Sequence, residues 1–225
     1  METATIILPV TEHLPTNIIN YIIKSYESIS IPLNIIISHH GKRHDKQDIN
    51  AIVVEREYNG DFSLSKTRNA GAWASNSKWL IFSDADTTYE NDVFARMIAI
   101  GKKAVAGKSR RDIFVDSTGD YYQCGFAPLL ILREFFEEVG GYSEKFVNYG
   151  FEDSHFEHKI IDNLFNYDSK ANHIMSIHNI MANLSTWKRG DDNRKLFLDE
   201  MNIPLQDRIA FDHKFYFENK AKHRI

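Results

Sequence analysis

Two aspartates separated by one residue, Asp84 and Asp86, follow an apolar run at residues 79–82. The run has the length and composition of a buried strand, so both carboxylates would lie at the strand's end. Two carboxylates this close repel each other and are costly to leave unpaired, which favours a cation bound by them. Carboxylate oxygens suit Mg²⁺ or Mn²⁺. The alternative is a strand followed by an acidic turn, because Asp is common in turns.

A second acidic pair, Glu152 and Asp153, follows a stretch rich in glycine and aromatic residues at 140–151. The pair opens a predicted helix whose inward positions are Phe156, Ile160, Ile161 and Leu164. Acids are favourable at a helix N-terminus, which explains either acid alone. That preference does not explain the Tyr-Gly-Phe sequence before them, so we expect a shaped loop that presents both carboxylates.

Basic side chains precede the first acidic pair in the chain. Residues 60–74 are predicted to form a loop that enters a helix, and they carry Lys66, Arg68 and Asn69 near the acidic strand end. Guanidinium and ammonium groups beside a metal are what a diphosphate requires. For Lys66 alone, a solvated helix face is the simpler interpretation.

One histidine could complete a metal site. His178 ends a predicted strand at residues 173–178, after a predicted turn at 168–169. Imidazole beside carboxylates is acceptable to Mn²⁺, although a lone His is more often a hydrogen-bonded structural residue.

Strands and helices alternate in the pattern of an α/β fold. Apolar runs at residues 6–8, 35–37 and 51–54 predict strands, and Ile18, Ile19, Ile22 and Ile23 recur at helical spacing between the first two. Such alternation implies right-handed βαβ crossovers and a largely parallel sheet. Ligands of these sheets bind beyond the carboxyl ends of the strands, where Asp84 and Asp86 fall.

The second half of the chain continues the pattern less regularly. A helix is predicted from Asn91, a fourth apolar run at 129–132 leads into a short helix, and residues 188–195 are predicted to be polar and flexible. Residues 211–225 predict a packing helix, with contact to a membrane surface or a partner as the alternative.

Length and composition limit the class of protein. A chain of 225 residues suits one sizeable core. Its net charge of −4 and pI near 6.2 argue against non-specific nucleic-acid binding. Cys124 is the only cysteine, which excludes an intramolecular disulfide. With no visible secretory signal and no apolar stretch of about 20 residues, we expect a cytoplasmic protein in which membrane contact would be peripheral.

Taken together, these stretches resemble nucleotide-sugar glycosyltransferases of the GT-A fold, over roughly residues 5 to 180. Three pieces are similar to β-1,4-galactosyltransferases: residues 82–86 with 91–92 to their Asp-x-Asp region, 150–153 to their Gly-Gly-Glu-Asp segment, and 175–178 to their Met-x-x-His. Residues 65–71 and the turn at 140–142 look more like the inverting family of chondroitin and hyaluronan polymerases. The resemblance implies an α/β single domain with a Rossmann-like, mostly parallel central sheet flanked by helices.

The resemblance also implies a division of that domain and a role for each candidate residue. Residues of about 1–100 would bind the nucleotide sugar, about 101–185 would hold the acceptor and the catalytic groups, and about 186–225 would form a C-terminal segment. The metal, Mn²⁺ or Mg²⁺, would be ligated by Asp86, His178 and, as a third candidate, Met175. The donor would be bound by Asp84, Lys66, Arg68, Asn69 and Tyr149, the last in the place of a mobile loop's aromatic residue. Asp153 would be the catalytic base, and Glu152 would hold donor or acceptor hydroxyls.

The implied activity is metal-dependent transfer of a sugar, with inversion, from a nucleoside diphosphate donor to a hydroxyl of a carbohydrate or glycoconjugate acceptor. Polysaccharide synthesis is one setting for it, and a UDP-linked donor is the expectation. Two departures leave the base open: residues 9–12 replace the galactosyltransferases' Phe-Arg-Asn-Arg, and residues 39–42 replace the polymerases' Asp-Asp-Gly-Ser.

Two other functions compete with this interpretation. A sugar nucleotidyltransferase shares the architecture, but its glycine-rich phosphate loop is not visible in the sequence. A non-enzymatic carbohydrate-binding subunit would not need to keep Asp86, Asp153 and His178.

Overall fold

A computed structural model of the chain describes residues 3–11, 14–42, 45–56, 62–109, 128–148, 150–173 and 191–222. Four residues singled out in the sequence lie outside the described residues: Cys124, Tyr149, Met175 and His178.

A mostly parallel sheet forms the centre of the fold, which confirms the predicted α/β class. Its strands are β1 (Ala4–Val10), β2 (Leu33–His40), β3 (Ile52–Arg56), β4 (Trp79–Phe82), β5 (Thr87–Thr88), β6 (Ala104–Ser109), β7 (Leu129–Leu132) and β8 (Leu164–His173). Their spatial order is β3-β2-β1-β4-β7-β6-β8-β5. β1 to β4 are parallel, β7 is antiparallel to both of its neighbours, and β8 is parallel to β6.

Helices cover both faces of this sheet. Within the described residues they are α1 (Thr16–Ser25), α2 (Leu64–Ala74), α3 (Val93–Ala99), α4 (Arg133–Glu138), α5 (Glu152–Ile160), α6 (Asp191–Met201) and α7 (Leu205–Lys222). The helices predicted after Thr16, after Asn91 and over residues 211–222 are therefore confirmed. None of the described helices is both long enough and apolar enough to cross a membrane.

The central strand β1 separates two apolar cores. Every residue of β1 is buried, as expected where helices cover both faces of a parallel sheet. Ile6 packs in a cluster that includes side chains of α1 and α3, whereas Ile7 packs in a cluster with side chains of α4, α5 and α7. Because consecutive strand residues point to opposite faces, the two clusters fix β1 and its neighbour β4 from both sides.

Several local predictions are wrong. Ile161, predicted to face inward on the helix, is 53% exposed, because α5 ends at Ile160 and a 3₁₀ turn follows. The turn predicted at 168–169 is an irregularity within β8, where the register with β6 shifts. The segment predicted to be flexible over 188–195 is helical from Asp191 onward.

Candidate active site

The first acidic pair lies at the carboxyl edge of the parallel strands, as the sequence predicts. Asp84 and Asp86 directly follow β4; the side chain of Asp84 is 29% exposed, whereas Asp86 is buried. β5 comes next, and its residue Thr87 pairs with His173 at the end of β8. Because Thr87 follows Asp86, this pairing brings His173, the last described residue before Met175 and His178, beside the acidic turn.

Two buried tyrosines support this turn from below. The Tyr26 hydroxyl donates to the carbonyl of Thr87 (2.7 Å), and the hydroxyls of Tyr89 and Ser83 share a hydrogen bond of 2.5 Å. Burial raises the pKa of both phenols, and the negative charges of Asp84 and Asp86 raise it further. Both tyrosines therefore stay neutral, and the hydroxyls that pack against the acidic turn are protonated.

The donor set at this turn fits a divalent cation. Two carboxylates one residue apart supply hard oxygen ligands, and their negative potential reaches the phenols beneath them. Among the described residues, no three His, Cys, Asp or Glu side chains converge as a metal site. A complete site would therefore need ligands from outside the described ranges or from a substrate.

Arg68 joins the two acidic pairs. Its Nη1 donates to Oδ1 of Asp153 (2.7 Å) and to Oε1 of Glu152 (3.3 Å), and its Nη2 lies 3.6 Å from Oδ1 of Asp84. The guanidinium is 3% exposed and lies over the ring of Tyr142, 5.1 Å from its centroid. This buried cation thus contacts two carboxylates that lie 84 and 85 positions from it in the sequence.

The charge on Arg68 is secured by these neighbours. Burial disfavours a charged guanidinium and lowers its pKa. The carboxylates of Asp153, Glu152 and Asp84 outweigh that penalty and raise the pKa above its ordinary value. Arg68 therefore remains a cation, with its hydrogen bonds directed at carboxylates of this chain.

Helix α2, which carries Arg68, is fixed at its start. Ser63 caps the helix, since its Oγ accepts the backbone N–H of Lys66 and its own hydroxyl donates to the carbonyl of Phe146 (2.8 Å). The structure places Lys66 in the first turn, half-buried.

Asn69 lies beneath the site. Its amide Nδ2 donates to the carbonyl of Tyr142 (2.9 Å) and to Glu144 (3.1 Å), and its Oδ1 accepts the N–H of Tyr142 (3.0 Å). The side chain is fully buried. A side chain at Gly141, whose φ is +60°, would collide with Asn69 and Tyr216. Asn69 therefore holds the glycine turn in place, and any effect on a donor would act through that turn.

The second acidic pair follows a loop of unusual backbone conformation. Asn148, Gly150 and Phe151 all have positive φ, at 64°, 112° and 67°. The Glu152 carboxylate accepts the N–H of Gly150 (2.9 Å) and is nearly buried, whereas the Asp153 carboxylate is 22% exposed. Of the two acids, Asp153 is the one that a substrate could reach.

Sequence reasoning missed a set of buried charges behind the site. Arg56 and Glu144 form a bidentate ion pair of 2.8 and 3.0 Å, and Lys159 pairs with Asp212 at 2.9 Å. All four side chains are almost wholly buried. Glu144 lies outside the helices and strands, and Arg56, Lys159 and Asp212 are charged residues at buried positions, so no apolar pattern in the sequence marks them.

The comparisons with known proteins identify the fold. No protein-family model matches the sequence, and no curated protein matches it. Three solved structures illustrate the likeness. The catalytic domain of Drosophila β1,4-galactosyltransferase 7, in complex with xylobiose, has a TM-score of 0.58 at 14% identity, and the match covers 88% of this chain and 79% of that one. Glucosyl-3-phosphoglycerate synthase from Mycobacterium tuberculosis, in complex with Mn²⁺, UDP and phosphoglyceric acid, has a TM-score of 0.57 at 14% identity, with coverage of 81% and 76%.

The third structure is mannosyltransferase PcManGT from Pyrobaculum calidifontis, in complex with GDP-Man and Mn²⁺. Its TM-score is 0.54 at 16% identity, and the match covers 74% of this chain but only 55% of that one. At these identities the likeness shows the fold alone: an α/β domain of the GT-A glycosyltransferase type.

Proposed function

We propose that this protein is a metal-dependent glycosyltransferase that moves a sugar from a nucleoside diphosphate donor to an acceptor hydroxyl with inversion. The observation that carries the proposal is the guanidinium of Arg68, which holds Asp84 at the strand edge and Asp153 at the helix start around one point. A single displacement requires one acid on the donor side and a second, partly exposed acid that can reach the acceptor hydroxyl.

The donor side is the carboxyl edge of the sheet. In the proposal, Asp84 contacts the ribose or the donor sugar, and Lys66, half-buried in the first turn of α2, contributes charge towards the diphosphate. Tyr149 is assigned to the donor as well. Arg68 and Asn69 act on the donor side indirectly, since their polar groups bind the acidic pairs and the glycine turn.

The proposed metal is Mn²⁺, held by Asp86 together with His178 and, as a third candidate, Met175. When bound, such a cation supplies positive charge to the diphosphate leaving group. Solved structures of the same fold contain Mn²⁺ with GDP-Man or with UDP, which supports a metal and a nucleotide in this fold without selecting the base. We retain a UDP-linked donor as the specific proposal.

Asp153 is the proposed catalytic base. Its partly exposed carboxylate takes the proton of the acceptor hydroxyl while that oxygen bonds to the anomeric carbon and the bond from that carbon to the diphosphate breaks. Attack opposite to the leaving group inverts the anomeric configuration. The Glu152 carboxylate already accepts hydrogen bonds from Arg68 and from the N–H of Gly150. In the proposal it accepts one more, from a hydroxyl of the donor or the acceptor.

Calorimetric titration of the purified full chain with UDP, GDP and other nucleoside diphosphates, each with and without Mn²⁺, tests the donor half of the proposal. We expect one nucleotide to bind tightly only when the metal is present. The matching sugar nucleotides then serve as donors in transfer assays with oligosaccharide acceptors, in which the anomeric configuration of the product tests inversion.

Two outcomes would contradict the proposal. If no nucleotide binds to the folded protein, with or without metal, the carbohydrate-binding subunit becomes the better interpretation. If the protein instead releases pyrophosphate from a nucleoside triphosphate and a sugar phosphate, it is a nucleotidyltransferase.

A further inference from the structure

We infer that helix α6 belongs to the catalytic apparatus, and that Asn193 is a positioning residue that sets the backbone before Asp153. The inference rests on the proposed function, because it concerns the residue assigned as the base. It extends that function to the C-terminal segment, which the sequence resemblance does not reach.

Asn193 binds both ends of the loop that precedes the acids. Its Nδ2 donates to the carbonyl of Val147 (2.7 Å) and to the carbonyl of Gly150 (3.1 Å). The residue is only 4% exposed, so these bonds form away from competing water. Loss of the amide would leave two carbonyls without this donor in a nearly dry environment.

The loop needs such external support. Phe151 adopts a left-handed backbone conformation, which costs a residue with such a side chain about 1–2 kcal/mol. Asn148 adopts one too, at the lower cost typical of asparagine. Strain of this kind persists where surrounding contacts impose it, and it is concentrated at functional sites. Phe151 is the residue immediately before the two acids, so its backbone angles decide where Asp153 points.

The first end of the loop is tied to α2. The N–H of Asn148 donates to the carbonyl of Phe62 (2.6 Å), and Ser63 donates to the carbonyl of Phe146. The start of the helix that carries Arg68 therefore fixes one side of the loop, and Asn193 fixes the other.

Two more residues on the same face of α6 contact this region. Phe197 stacks on Phe151 with 5.6 Å between ring centroids and an interplanar angle of 30°. Glu200 pairs with Lys145 (2.7 Å), which lies just before the loop. Asn193, Phe197 and Glu200 are spaced four and three residues apart, which places them on one face of the helix. α6 therefore contacts the loop through a polar and an aromatic side chain, and the segment just before it through a charged one.

The test compares Asn193→Asp and Asn193→Ala with a matched control, Asn202→Ala. Aspartate keeps the shape of Asn193 but donates no hydrogen bond. The control removes an exposed amide that donates to the carbonyl of Leu198 (3.2 Å), within the same helical region. Nucleotide affinity is measured by calorimetry in the presence of Mn²⁺, and kcat for transfer is measured at saturating donor and acceptor.

We expect both Asn193 variants to lose about 10- to 100-fold in kcat, because a displacement of about 1 Å in a reacting group costs on that order. Nucleotide affinity should change less than about twofold, and Asn202→Ala should match the wild type. Loss of general stability alone would not lower kcat of the folded fraction while leaving nucleotide affinity intact. Full kcat in Asn193→Asp would overturn the inference.

Phe197→Leu provides a second variant if the Asn193 variants do not fold. Leucine keeps the apolar contact but removes the ring stack, and we expect a several-fold lower kcat with unchanged nucleotide affinity. An unchanged kcat in this variant would count against the role of α6.

The inference and the proposed function fail in different ways. If the wild type transfers sugar and the α6 variants do so equally well, only the positioning role is wrong. If the wild type transfers nothing, the proposed function is wrong. Amide hydrogen exchange then still tests whether Asn193 holds the loop before Asp153. In that case we expect faster exchange at residues 148–152 in Asn193→Asp than in Asn202→Ala, and equal rates would overturn the positioning role.

Discussion

The two acidic pairs of the site are positioned by different physical means. Asp84 and Asp86 follow a strand whose residues are all buried between two apolar clusters. Glu152 and Asp153 follow a loop that is held by hydrogen bonds and an aromatic stack, and both acids are paired with the distant Arg68. The first pair depends on the shape of an apolar core, and the second depends on individual polar contacts.

This difference has a consequence for tolerance to change. Apolar packing is non-directional and consists of many small contacts over many side chains, so the loss of one methyl group removes only a small part of it. A buried polar contact is directional, and removing one partner leaves the other unsatisfied. We therefore expect the geometry of the second pair to be the more sensitive of the two to single substitutions at a distance.

The largest expected effect separates the roles of the pairs themselves. Asp153→Asn removes the proposed base, and we expect transfer to fall by about 10²- to 10⁴-fold while nucleotide affinity in Mn²⁺ is retained. Asp86→Asn should instead alter nucleotide binding, because it removes a proposed metal ligand. Nucleotide affinity should then no longer depend on Mn²⁺. Steady-state rates and calorimetry on the same preparations measure both effects.

The exposed carboxylate of Asp199 on α6 provides the control, and Asp199→Asn should behave as the wild type. Near-full transfer by Asp153→Asn would remove that residue from the role of base. Unchanged dependence on Mn²⁺ in Asp86→Asn would contradict the proposed metal site.

The next effect tests the ion pair that anchors α5, the helix of the second acidic pair. Lys159 is fully buried and donates to Asp212 of α7 (2.9 Å) and to the carbonyl of Val139 (3.1 Å). Burial lowers the pKa of Lys159, and the charge of Asp212 opposes that shift. Asp212→Asn removes the opposing charge, so the free energy of unfolding should fall by about 3–5 kcal/mol, as measured by chemical denaturation.

Glu218→Gln is the matched control for Asp212→Asn. Glu218 lies on the same helix and is paired with Lys214 at 4.0 Å, but both side chains are mostly exposed. Exposed pairs of this kind contribute about 0–1 kcal/mol. If the two substitutions lower the free energy of unfolding equally, the buried pair does not anchor α5.

Sequence patterns predicted the first acidic pair and its setting well. The apolar run of β4, the alternation of strands and helices, and the rule that ligands bind at carboxyl ends together placed Asp84 and Asp86 at the sheet edge. These signals are local or periodic, so a single sequence contains them.

The polar contacts of the second pair could not be predicted in the same way. Helix α7 illustrates why: its buried face carries Arg208, Asp212, Tyr216 and Asn219, while Phe211, Phe215 and Phe217 are 48%, 40% and 38% exposed. The apolar pattern of this helix therefore indicates the wrong face. Arg68 likewise has partners more than eighty residues away, and nothing in its neighbourhood in the sequence identifies them.

A smaller effect tests the apolar support of the first pair. Gly71 lies in α2, and a Cβ there would collide with Ile7 of β1 and come within 3.3 Å of Ser38 of β2. Gly71→Ala should therefore lower the free energy of unfolding by about 1–3 kcal/mol through overpacking. In an exposed helix the same substitution would raise stability by about 1 kcal/mol, so the sign of the change in chemical denaturation reports the contact.

Gly41→Ala separates packing from backbone strain. Gly41 has a φ of +86°, and a Cβ there would meet no atom within 4 Å. We expect the free energy of unfolding to fall by about 1–2 kcal/mol from the left-handed backbone alone.

A stabilised Gly71→Ala variant would contradict the close packing of α2 on the sheet.

The last effect is a pH dependence that arises behind the second acidic pair. His155 of α5 is fully buried beside Phe146, and neither ring nitrogen has a hydrogen-bond partner among the described residues. Burial lowers its pKa to about 2, and the positive charges of Lys159, Arg208, Lys145 and His158 contribute; the nearest carboxylate oxygen, on Glu200, is 3.8 Å away. The folded protein therefore keeps this histidine neutral.

Below a pH of about 6.5 the unfolded chain protonates this histidine and the folded protein does not, so acidification favours unfolding. Stability should fall as the pH drops from 7 to 5, by up to about 1.4 kcal/mol per pH unit from this residue. The informative quantity is the difference between variants in the slope of the unfolding free energy against pH. His155→Phe should flatten the curve, whereas His158→Gln, which changes an exposed neighbour one turn away, should leave the slope nearly intact. A slope that survives His155→Phe would mean that this histidine gains a proton or a partner in the folded state, and that the region around the second acidic pair is less dry than its contacts indicate.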